Sequence, residues 1–205
     1  MSLAYRILYA IGFTPWEQMA HPQIANQIAD LFAREEEGRE PPYGSALDLG
    51  CGSGIWAVEL ARRRWQVTGV DFVQKALRSA RSRAEEAGVE LRLFEGDVTD
   101  LGAAGVGSGF ELLLDFGCFH DELTDEQRQA EGREATAAAV PGATLLMMAW
   151  KPGRRGPLPR GASPGEIKAA FTDWQLLDDV AMDVPEGAPG YVRRAEPCFY
   201  RLRRE

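Results

Sequence analysis

The chain has 205 residues, 45% hydrophobic and 26% charged, which is long enough for one α/β domain with its own core. It contains neither the run of roughly 20 apolar residues that a membrane-spanning helix needs nor a signal-peptide cleavage site. We therefore expect a protein that is neither membrane-spanning nor secreted. The formal charge of −8 disfavours nucleic-acid binding. Three widely spaced cysteines argue against disulfides and a zinc site, so we expect a cytoplasmic protein without a metal.

The hydrophobic pattern alternates between helices and strands along the chain. The first 45 residues are predicted to be helical, because Ile24, Ile28 and Phe32 recur on one helical face. Strands are predicted at 45–49, 66–71, 90–94, 110–115, 143–150, 174–182 and 196–202. Helices are predicted at 55–64 and 74–87, the second stopped by Gly88, and capping boxes at Thr124 and Ser163 open two more.

Strands and helices that alternate at short spacing imply right-handed crossovers and a mostly parallel sheet. We predict a single α/β domain with a Rossmann-like, doubly wound, mostly parallel seven-stranded sheet and an antiparallel C-terminal strand. Residues 1–44 would form a helical N-terminal segment and residues 45–205 the core. Ligands of such sheets bind beyond the carboxyl ends of the strands, where the strand order switches.

The strongest local signal is a strand that runs into three alternating glycines and then a helix, in the string Leu47-Asp48-Leu49-Gly50-Cys51-Gly52-Ser53-Gly54. Glycines allow a tight turn and the close approach of a ligand. The dinucleotide fingerprint fails, because its third glycine would fall at Ile55, and the G-K-[S/T] of a phosphate loop is absent. The remaining interpretation is a loop for an uncharged nucleoside with an amino-acid tail. Asp48 can hold the ammonium group, and the loop backbone at Gly50, Cys51, Gly52 and Gly54 lines the ligand.

The string LDLGCGSG resembles motif I of the class I S-adenosylmethionine-dependent methyltransferases, and two acidic landmarks follow it. Asp71 closes a strand in VTGVD, and Asp97 follows the next strand in GDV. The resemblance implies S-adenosyl-L-methionine as cofactor and S-adenosyl-L-homocysteine as product. It also implies that Asp71 binds the ribose hydroxyls, that Phe72 covers an adenine face, and that Asp97 and the Val98 amide bind the adenine. Each aspartate alone could instead cap a helix.

Two shorter segments resemble the thiopurine-type group of small-molecule methyltransferases. They are Thr14-Pro15-Trp16-Glu17 with His21-Pro22-Gln23, and Asp115-Phe116-Gly117-Cys118-Phe119-His120; Glu17 departs from the group's aspartate. The resemblance implies that residues 1–44 lie over the cofactor as a lid. Trp16 would shield the sulfonium, unless it is a core tryptophan, and Asp115 and Phe116 would lie at the cofactor. Asp115 is expected mainly to organise its loop.

His120 is the candidate catalytic residue, because it follows a strand end near the expected methyl group. It could act as a general base or simply hydrogen-bond the loop backbone. Exposed aromatic rings point to a flat acceptor, and the candidate substrate contacts are Phe13, Phe119, His120 and Trp150. The Pro/Gly-rich segment 151–161 is predicted to be a specificity loop whose Arg154 and Arg155 suit an anionic or aromatic substrate, or else a surface connection.

These features predict transfer of a methyl group to an S, O or N atom of a small, aromatic molecule. Enzymes of this class that methylate amino groups of nucleic acids carry [N/D/S]-P-P-[Y/F] after the fourth strand, where this chain has Asp115-Phe116-Gly117-Cys118. We therefore expect a monomer or homodimer with a small-molecule acceptor, no nucleic acid and no membrane partner. A non-catalytic cofactor-binding protein, a peptide or protein methyltransferase and a nicotinamide-dependent oxidoreductase remain the alternatives.

Overall fold

A computed structural model of the chain describes residues 21–121, 123–153 and 159–205, together with Ile7, Tyr9, Ile11 and Thr14. Four residues to which the sequence assigns a role lie outside the described residues, and their roles stay predictions: Phe13, Trp16, Arg154 and Arg155. Within the described part of the chain, no helix is both long enough and apolar enough to cross a bilayer.

The described strands form one mixed sheet. Their bounds are β1 (Ser45–Leu49), β2 (Gln66–Asp71), β3 (Leu91–Glu95), β4 (Phe110–Asp115), β5 (Ala139–Ala149), β6 (Trp174–Ala181) and β7 (Cys198–Arg204). The order across the sheet is β3-β2-β1-β4-β5-β7-β6. Strands β1 to β5 pair in parallel, and β7 runs antiparallel to both β5 and β6. The predicted Rossmann-like fold is confirmed, including its antiparallel C-terminal strand.

Helices cover both faces of the sheet, as crossovers between parallel strands require. They are α1 (Pro22–Glu36), α2 (Ile55–Arg62), α3 (Gln74–Ala87), α4 (Leu101–Ala104), α5 (Asp125–Ala138), α6 (Pro164–Ala170) and α7 (Gly190–Ala195). The capping boxes at Thr124 and Ser163 and the left-handed Gly88 are confirmed. The short helices α4 and α7 were not predicted, because so few residues show no helical period.

Some predicted boundaries move by a few residues. Helix α2 ends at Arg62 rather than at residue 64, since the backbone of Arg64 has a positive φ of 76°. Strand β5 begins at Ala139 rather than at residue 143, and a register shift between Phe110 and Leu112 of β4 accommodates the added residues. Strand β7 begins at Cys198 rather than at residue 196, because Glu196 caps α7 in the left-handed region.

Alternate residues of β4 enter separate apolar clusters on the two faces of the sheet. Leu113 belongs to the cluster beneath α4, α5 and α6. Leu112 and Leu114 belong to the cluster beneath α1 and α2, which also contains Ile28 and Phe32. Because both faces are covered, the strand consists of consecutive apolar residues rather than an alternating pattern. This layering fixes the carboxyl end of β4 beside that of β1.

Helix α1 is tied to the sheet by polar contacts at both of its ends. Glu35 accepts hydrogen bonds from Nε of Arg201 at 2.5 Å and Oγ1 of Thr144 at 2.7 Å. Near the other end, the side-chain amide of Gln27 donates to the carbonyl of Asp183 and accepts from its N–H. A movable lid, predicted for residues 1–44, would therefore be limited to the segment before Pro22, and its existence stays a prediction.

Strand β6 ends the sheet of described strands, and its pairing is irregular. Its pairing with β7 shifts register between Leu176 and Asp178. Leu177 and Val180 are exposed on it, and the consecutive carboxylates Asp178 and Asp179 lie between them. Asp178 forms an ion pair with Arg34 of α1 at 3.0 Å.

Candidate functional site

The candidate site lies at the carboxyl ends of β1 and β4, where the strand order switches. Strand β1 continues in sequence toward β2 on one side, whereas its neighbour on the other side is β4. The connections that leave these two strands diverge to opposite sides and leave a crevice between them. The glycine loop after β1 and the loop after β4 form its two walls.

The glycine loop has a backbone shape that needs glycine. Gly50 and Gly54 have φ values of +66° and +76°, in the left-handed region. A Cβ on Gly50 would lie 2.5 Å from Sγ of Cys118, and one on Gly54 would lie 2.8 Å from Cβ of Ala80. The first glycine therefore lets the two walls of the crevice approach, and the second lets α2 pack closely on α3. Contact of the loop backbone with a ligand stays a prediction.

Cys51 has its side chain directed away from the crevice. Its thiol is buried against β2, and a Cβ on Gly69 would lie 2.8 Å from its sulfur. The Cys51 N–H donates to the carbonyl of Val70 at 2.9 Å, which ties the loop to β2. Any contact of Cys51 with the cofactor, as predicted, would therefore use its backbone.

Asp71 connects the end of β2 with the glycine loop. Its Oδ2 accepts from the N–H of Gly52 at 2.9 Å, and its Oδ1 accepts from the N–H of Val73 at 2.7 Å. Burial raises the pKa of the Asp71 carboxyl above its ordinary value, while these two donors act against the increase. Phe72 follows directly and is partly buried. The predicted contacts of both residues with a nucleoside stay predictions.

Asp48 is buried at the end of β1, beside two other carboxyl groups. Burial raises the pKa of Asp48 to about 8, and the nearby charges of Asp115 and Asp71 act in the same direction. A buried carboxyl group near other acidic groups favours a cation beside it. This environment fits the ammonium group of an amino-acid tail, which is the ligand group that the sequence assigns to Asp48.

Asp97 and Val98 follow β3 at the same edge of the sheet. One oxygen of the Asp97 carboxylate accepts from the N–H of Thr99 at 3.0 Å and closes a local turn. The side chain of Val98 is buried in the apolar cluster beneath α4. The helix cap here is Asp100 rather than Asp97, so the capping role considered for Asp97 is not observed. Binding of adenine by Asp97 and Val98 stays a prediction.

Asp115 organises the loop after β4, as expected. Its carboxylate is fully buried and accepts hydrogen bonds from the N–H groups of Gly117, Cys118 and Phe119 at 2.8 to 3.3 Å. The carboxylate is thus turned toward its own loop. Contact of Asp115 with a cofactor remains a prediction to which this geometry adds nothing.

Two aromatic residues of this loop pack into the core on opposite faces of the sheet. The expectation that Phe119 is exposed is wrong: its ring is fully buried, 5.5 Å from the ring of Phe171. The bond from its N–H to Asp115 turns the loop so that the ring points beneath α5. The ring of Phe116 packs against those of Phe32, Trp56 and Phe199, and its predicted cofactor contact stays untested.

His120 and Trp150 come together at the end of β5. Their rings are nearly parallel, with centroids 5.6 Å apart and an interplanar angle of 14°. Nδ1 of His120 lies 3.1 Å from the carbonyl oxygen of Met148, and a carbonyl can only accept. The hydrogen bond therefore places the proton on Nδ1 and the lone pair of the neutral imidazole on Nε2. The backbone contact considered for His120 exists, and its role as a general base stays a prediction.

Sequence reasoning missed two tyrosines of the site. Tyr191 of α7 lies with its ring 6.4 Å from that of Trp150 and extends the row of rings. Tyr9 is buried, and a Cβ on Gly52 would lie 2.9 Å from its hydroxyl, so the N-terminal segment reaches the glycine loop. Neither residue belongs to a motif or a periodic pattern. Among the described residues, no group of His, Cys, Asp and Glu side chains could hold a metal ion.

The chain is similar to known methyltransferases. Residues 46–142 match the family described as a methyltransferase domain. A 2-heptyl-1-hydroxyquinolin-4(1H)-one methyltransferase of Mycobacteroides abscessus is 28% identical over 178 residues, which are 83% of this chain and 75% of that protein. A ribosomal RNA small subunit methyltransferase C of Alcanivorax borkumensis is 30% identical over 133 residues, which are 63% of this chain. The chain spans 39% of the length of that second relative.

A solved structure shows the same fold over nearly the whole chain. The 1,6-didemethyltoxoflavin-N1-methyltransferase of Burkholderia thailandensis, with 1,6-didemethyltoxoflavin and S-adenosylhomocysteine bound, superposes with a TM-score of 0.71 at 21% identity. The match covers 98% of this chain and 85% of that one.

Proposed function

Because the chain belongs to the class I S-adenosylmethionine-dependent methyltransferases, we propose that it methylates an S, O or N atom of a small aromatic molecule. The observation that carries this proposal is the row of rings formed by His120, Trp150 and Tyr191 beside the crevice. Flat acceptors stack favourably on such rings, and each aromatic pair contributes about 0.5–1.5 kcal/mol beyond burial of area. The hydroxyquinolinone and toxoflavin substrates of two similar proteins are flat heteroaromatic molecules.

The glycine-loop side of the crevice holds the cofactor in this proposal. Bound S-adenosylmethionine supplies an activated methyl group on a sulfonium. Asp48 receives the ammonium of its amino-acid tail, and the loop backbone lies along that tail. The carboxylate of Asp71 accepts from the ribose hydroxyls, and Phe72, Asp97 and the Val98 amide surround the adenine.

The chain's own contribution to the reaction is alignment and the exclusion of water. Well-oriented reactants reach effective molarities of roughly 10⁵–10⁸ M, which covers much of the barrier. Nε2 of His120 can accept a proton from an acceptor hydroxyl, since Nδ1 is held by Met148. A thiol acceptor needs this help least, because its reference pKa of about 8.5 leaves a useful thiolate fraction.

Substitution of His120 tests its role as a base. We expect His120→Ala to lower kcat on a hydroxyl acceptor by about 10²–10⁴-fold and on a thiol acceptor by much less. The control is His21→Ala, because His21 is the chain's other histidine and is exposed at the start of α1. An unchanged rate on the preferred hydroxyl acceptor would remove His120 as the base.

The first experiment on the proposed function combines ligand binding with a turnover screen. Calorimetry with S-adenosylhomocysteine, and separately with NADH, should give micromolar binding of the first ligand only. Incubation with S-adenosylmethionine and a panel of thiols, phenols, quinols and heteroaromatic amines should then give a product about 14 mass units heavier, the mass of one CH₂. Binding without turnover on any acceptor favours the non-catalytic alternative, and absence of binding contradicts the proposal.

A ribosomal RNA acceptor is the second possibility, because one relative carries that name. The loop after β4 disfavours it, since the N-P-P-type sequence of amino-methylating nucleic-acid enzymes is replaced by Asp115-Phe116-Gly117-Cys118. The net charge of −8 also disfavours contact with a phosphate backbone. Ribosomal RNA can be added to the same screen. Methylation of the RNA, with no small-molecule product, would make RNA the preferred acceptor.

A further inference from the structure

The buried carboxyl group of Glu131 has no role in the site described so far. Glu131 lies on α5 and is fully buried in the core. Within the described part of the chain, neither of its carboxylate oxygens accepts a hydrogen bond. An ionised carboxylate in this position would lose its hydration without compensation, which is among the costliest arrangements in a protein.

The surroundings of Glu131 place a second carboxylate against it. Asp115 of β4 lies within hydrogen-bonding reach, Arg128 precedes it on the same helix, and Asp97 after β3 acts on it from farther away. Burial raises the pKa of Glu131 well above its ordinary value, Asp115 adds to this increase, and Arg128 opposes it. Two carboxyl groups so close in a dry core share one proton rather than both ionise.

Arg128 does not neutralise Glu131, because its guanidinium serves other partners. Nη1 donates to Glu166 at 3.1 Å, and Nη2 donates to the carbonyl of Gly161 at 2.7 Å. The same guanidinium lies over the ring of Phe119 at 4.9 Å. Its Nε has no partner among the described residues, so no bond joins it to Glu131.

The hydrogen bonds decide which of the two acids carries the shared proton. Asp115 accepts hydrogen bonds from three consecutive N–H groups. Within the described residues, Glu131 has no donor that would favour its charged form. As a neutral acid, Glu131 becomes a donor, and its neighbour Asp115 is the acceptor.

We propose that Glu131 is a positioning residue, which as a neutral carboxylic acid donates a hydrogen bond to Asp115 and holds the loop that carries His120. The role in catalysis rests on the proposed methyl transfer, whereas the proton on Glu131 does not. The chain of contacts runs from Glu131 to Asp115, then through the amides of Gly117 to Phe119, and ends at His120. Loss of the Glu131 proton would place a second negative charge against Asp115 and loosen this loop.

The pH dependence of stability tests the proton without any activity. A carboxyl whose pKa is raised on folding stabilises the native state fully below its unfolded pKa, and this contribution is lost as the pH rises toward its folded pKa. Glu131→Gln keeps the shape and a donor but carries no proton to lose. We expect the ratio of folding constants, Glu131→Gln over wild type, to rise by up to about tenfold per pH unit from about pH 5 upward.

Denaturant titrations at pH 5, 6, 7 and 8 measure this ratio, and Glu126→Gln is the matched control. Glu126 lies on the same helix but is exposed, so its ratio should stay constant. The raised pKa of Asp48 affects wild type, Glu131→Gln and Glu126→Gln equally, so its contribution cancels from the ratios of folding constants. A ratio for Glu131→Gln that is flat or falls with pH would overturn the proposal, because it would mean that Glu131 is ionised in the folded chain.

NMR of the protein with ¹⁵N-labelled histidine measures the tautomer of His120, which reports whether the ring keeps its position. The chain has only two histidines, so the exposed His21 serves as an internal reference. Wild type and Glu131→Gln should show His120 as the Nδ1–H tautomer. In Glu131→Leu, which has no donor, the Nδ1 and Nε2 signals of His120 should move toward those of an imidazole that exchanges between its two tautomers. An unchanged His120 signal in a folded Glu131→Leu protein would overturn the positioning role.

Activity gives the last readout once an acceptor is known. We expect Glu131→Gln to keep kcat within about threefold and Glu131→Leu to lower it about tenfold or more, with the affinity for S-adenosylhomocysteine unchanged in both. Failure to find any acceptor would count against the proposed function alone, since the stability and NMR experiments need none. Equal kcat in all three proteins, with a confirmed acceptor, would overturn the positioning role.

Discussion

The two walls of the crevice are built in different ways. The glycine-loop wall, made by the loops after β1, β2 and β3, consists mainly of backbone, held by contacts such as those of Asp71 with Gly52 and Val73. The acceptor wall, made by the loop after β4, the end of β5 and α7, consists of side chains from distant parts of the chain. His120 contacts Met148 there, and Trp150 contacts Tyr191. In the proposed function the first wall binds the cofactor and the second binds the acceptor.

The largest expected effect is on the glycine-loop wall. Asp71→Ala should weaken binding of S-adenosylhomocysteine at least about 100-fold, because two charge-assisted hydrogen bonds to ribose are worth about 1.5–3 kcal/mol each. Calorimetry measures it, with the exposed Asp30→Ala as control. Binding within about threefold of wild type would show that the ribose does not lie at Asp71.

The next effect separates the packing of the glycine loop from its conformation. Gly54→Ala should lower the free energy of unfolding by about 3 kcal/mol, from a left-handed backbone together with a clash against Ala80. Gly88→Ala has a similar positive φ but nothing within 4 Å, so it should lose only about 1–2 kcal/mol. Denaturant titration of both variants measures the difference, and equal losses would mean that the α2–α3 contact costs nothing to change.

A smaller effect is expected on the acceptor wall. Tyr191→Ala should raise KM for an aromatic acceptor about tenfold by removing one ring of the row, with the affinity for S-adenosylhomocysteine unchanged. Tyr191→Phe keeps the ring and should behave as wild type. A weaker affinity for S-adenosylhomocysteine in Tyr191→Ala would show that the two walls do not act separately.

The last effect concerns protons at the glycine-loop wall. Because burial raises the pKa of Asp48 to about 8, the free protein at pH 7 holds a proton there that an incoming ammonium group displaces. Binding of S-adenosylhomocysteine at pH 7 should therefore release a fraction of one proton, and its affinity should rise between pH 6.5 and 8. Calorimetry in two buffers of different ionisation enthalpy counts the proton.

Asp48→Asn is the control for this proton release. It should abolish the release and flatten the pH dependence, because an amide neither binds nor loses a proton in this range. The raised pKa also predicts that the unliganded wild type loses stability as the pH rises from about 4 to 8, and that Asp48→Asn loses less. Proton release that persists in Asp48→Asn would show that the proton comes from another group, which would contradict the prediction.

The same contrast explains how far the sequence could predict the molecule. The glycine loop and Asp71 were recognisable because strand, turn and helix follow one another within a few residues. The direction of Phe119 was not, because it depends on the hydrogen bonds that its N–H makes to Asp115. The roles of Glu131 and Tyr191 could not be predicted for a related reason, because the surroundings of each form only when distant elements pack. Helix α7, which carries Tyr191, is also too short to show a helical period.

Boundaries show the same physical limit. Strand β2 was predicted to the residue, since its apolar core follows a turn at Arg64 on one side and ends at Asp71 on the other. Strand β5 was predicted four residues short, counted from residue 143 to Ala139, because Pro141 and Gly142 disfavour a strand locally. Pairing with β4 overrides that preference, and the register shift opposite them absorbs the irregularity.

The irregular edge strand β6 has a consequence for the protein in concentrated solution. An exposed strand edge is a template onto which another chain can add by main-chain hydrogen bonds. Here the shifted register interrupts the template, and Asp178 and Asp179 would face the carboxylates of any second copy that docked in register. The exposed carboxylate of Asp179, beside Asp178 in its ion pair with Arg34, disfavours such docking despite the apolar Leu177 and Val180 on the same strand. We therefore expect this strand to resist edge-to-edge association, independently of the crevice.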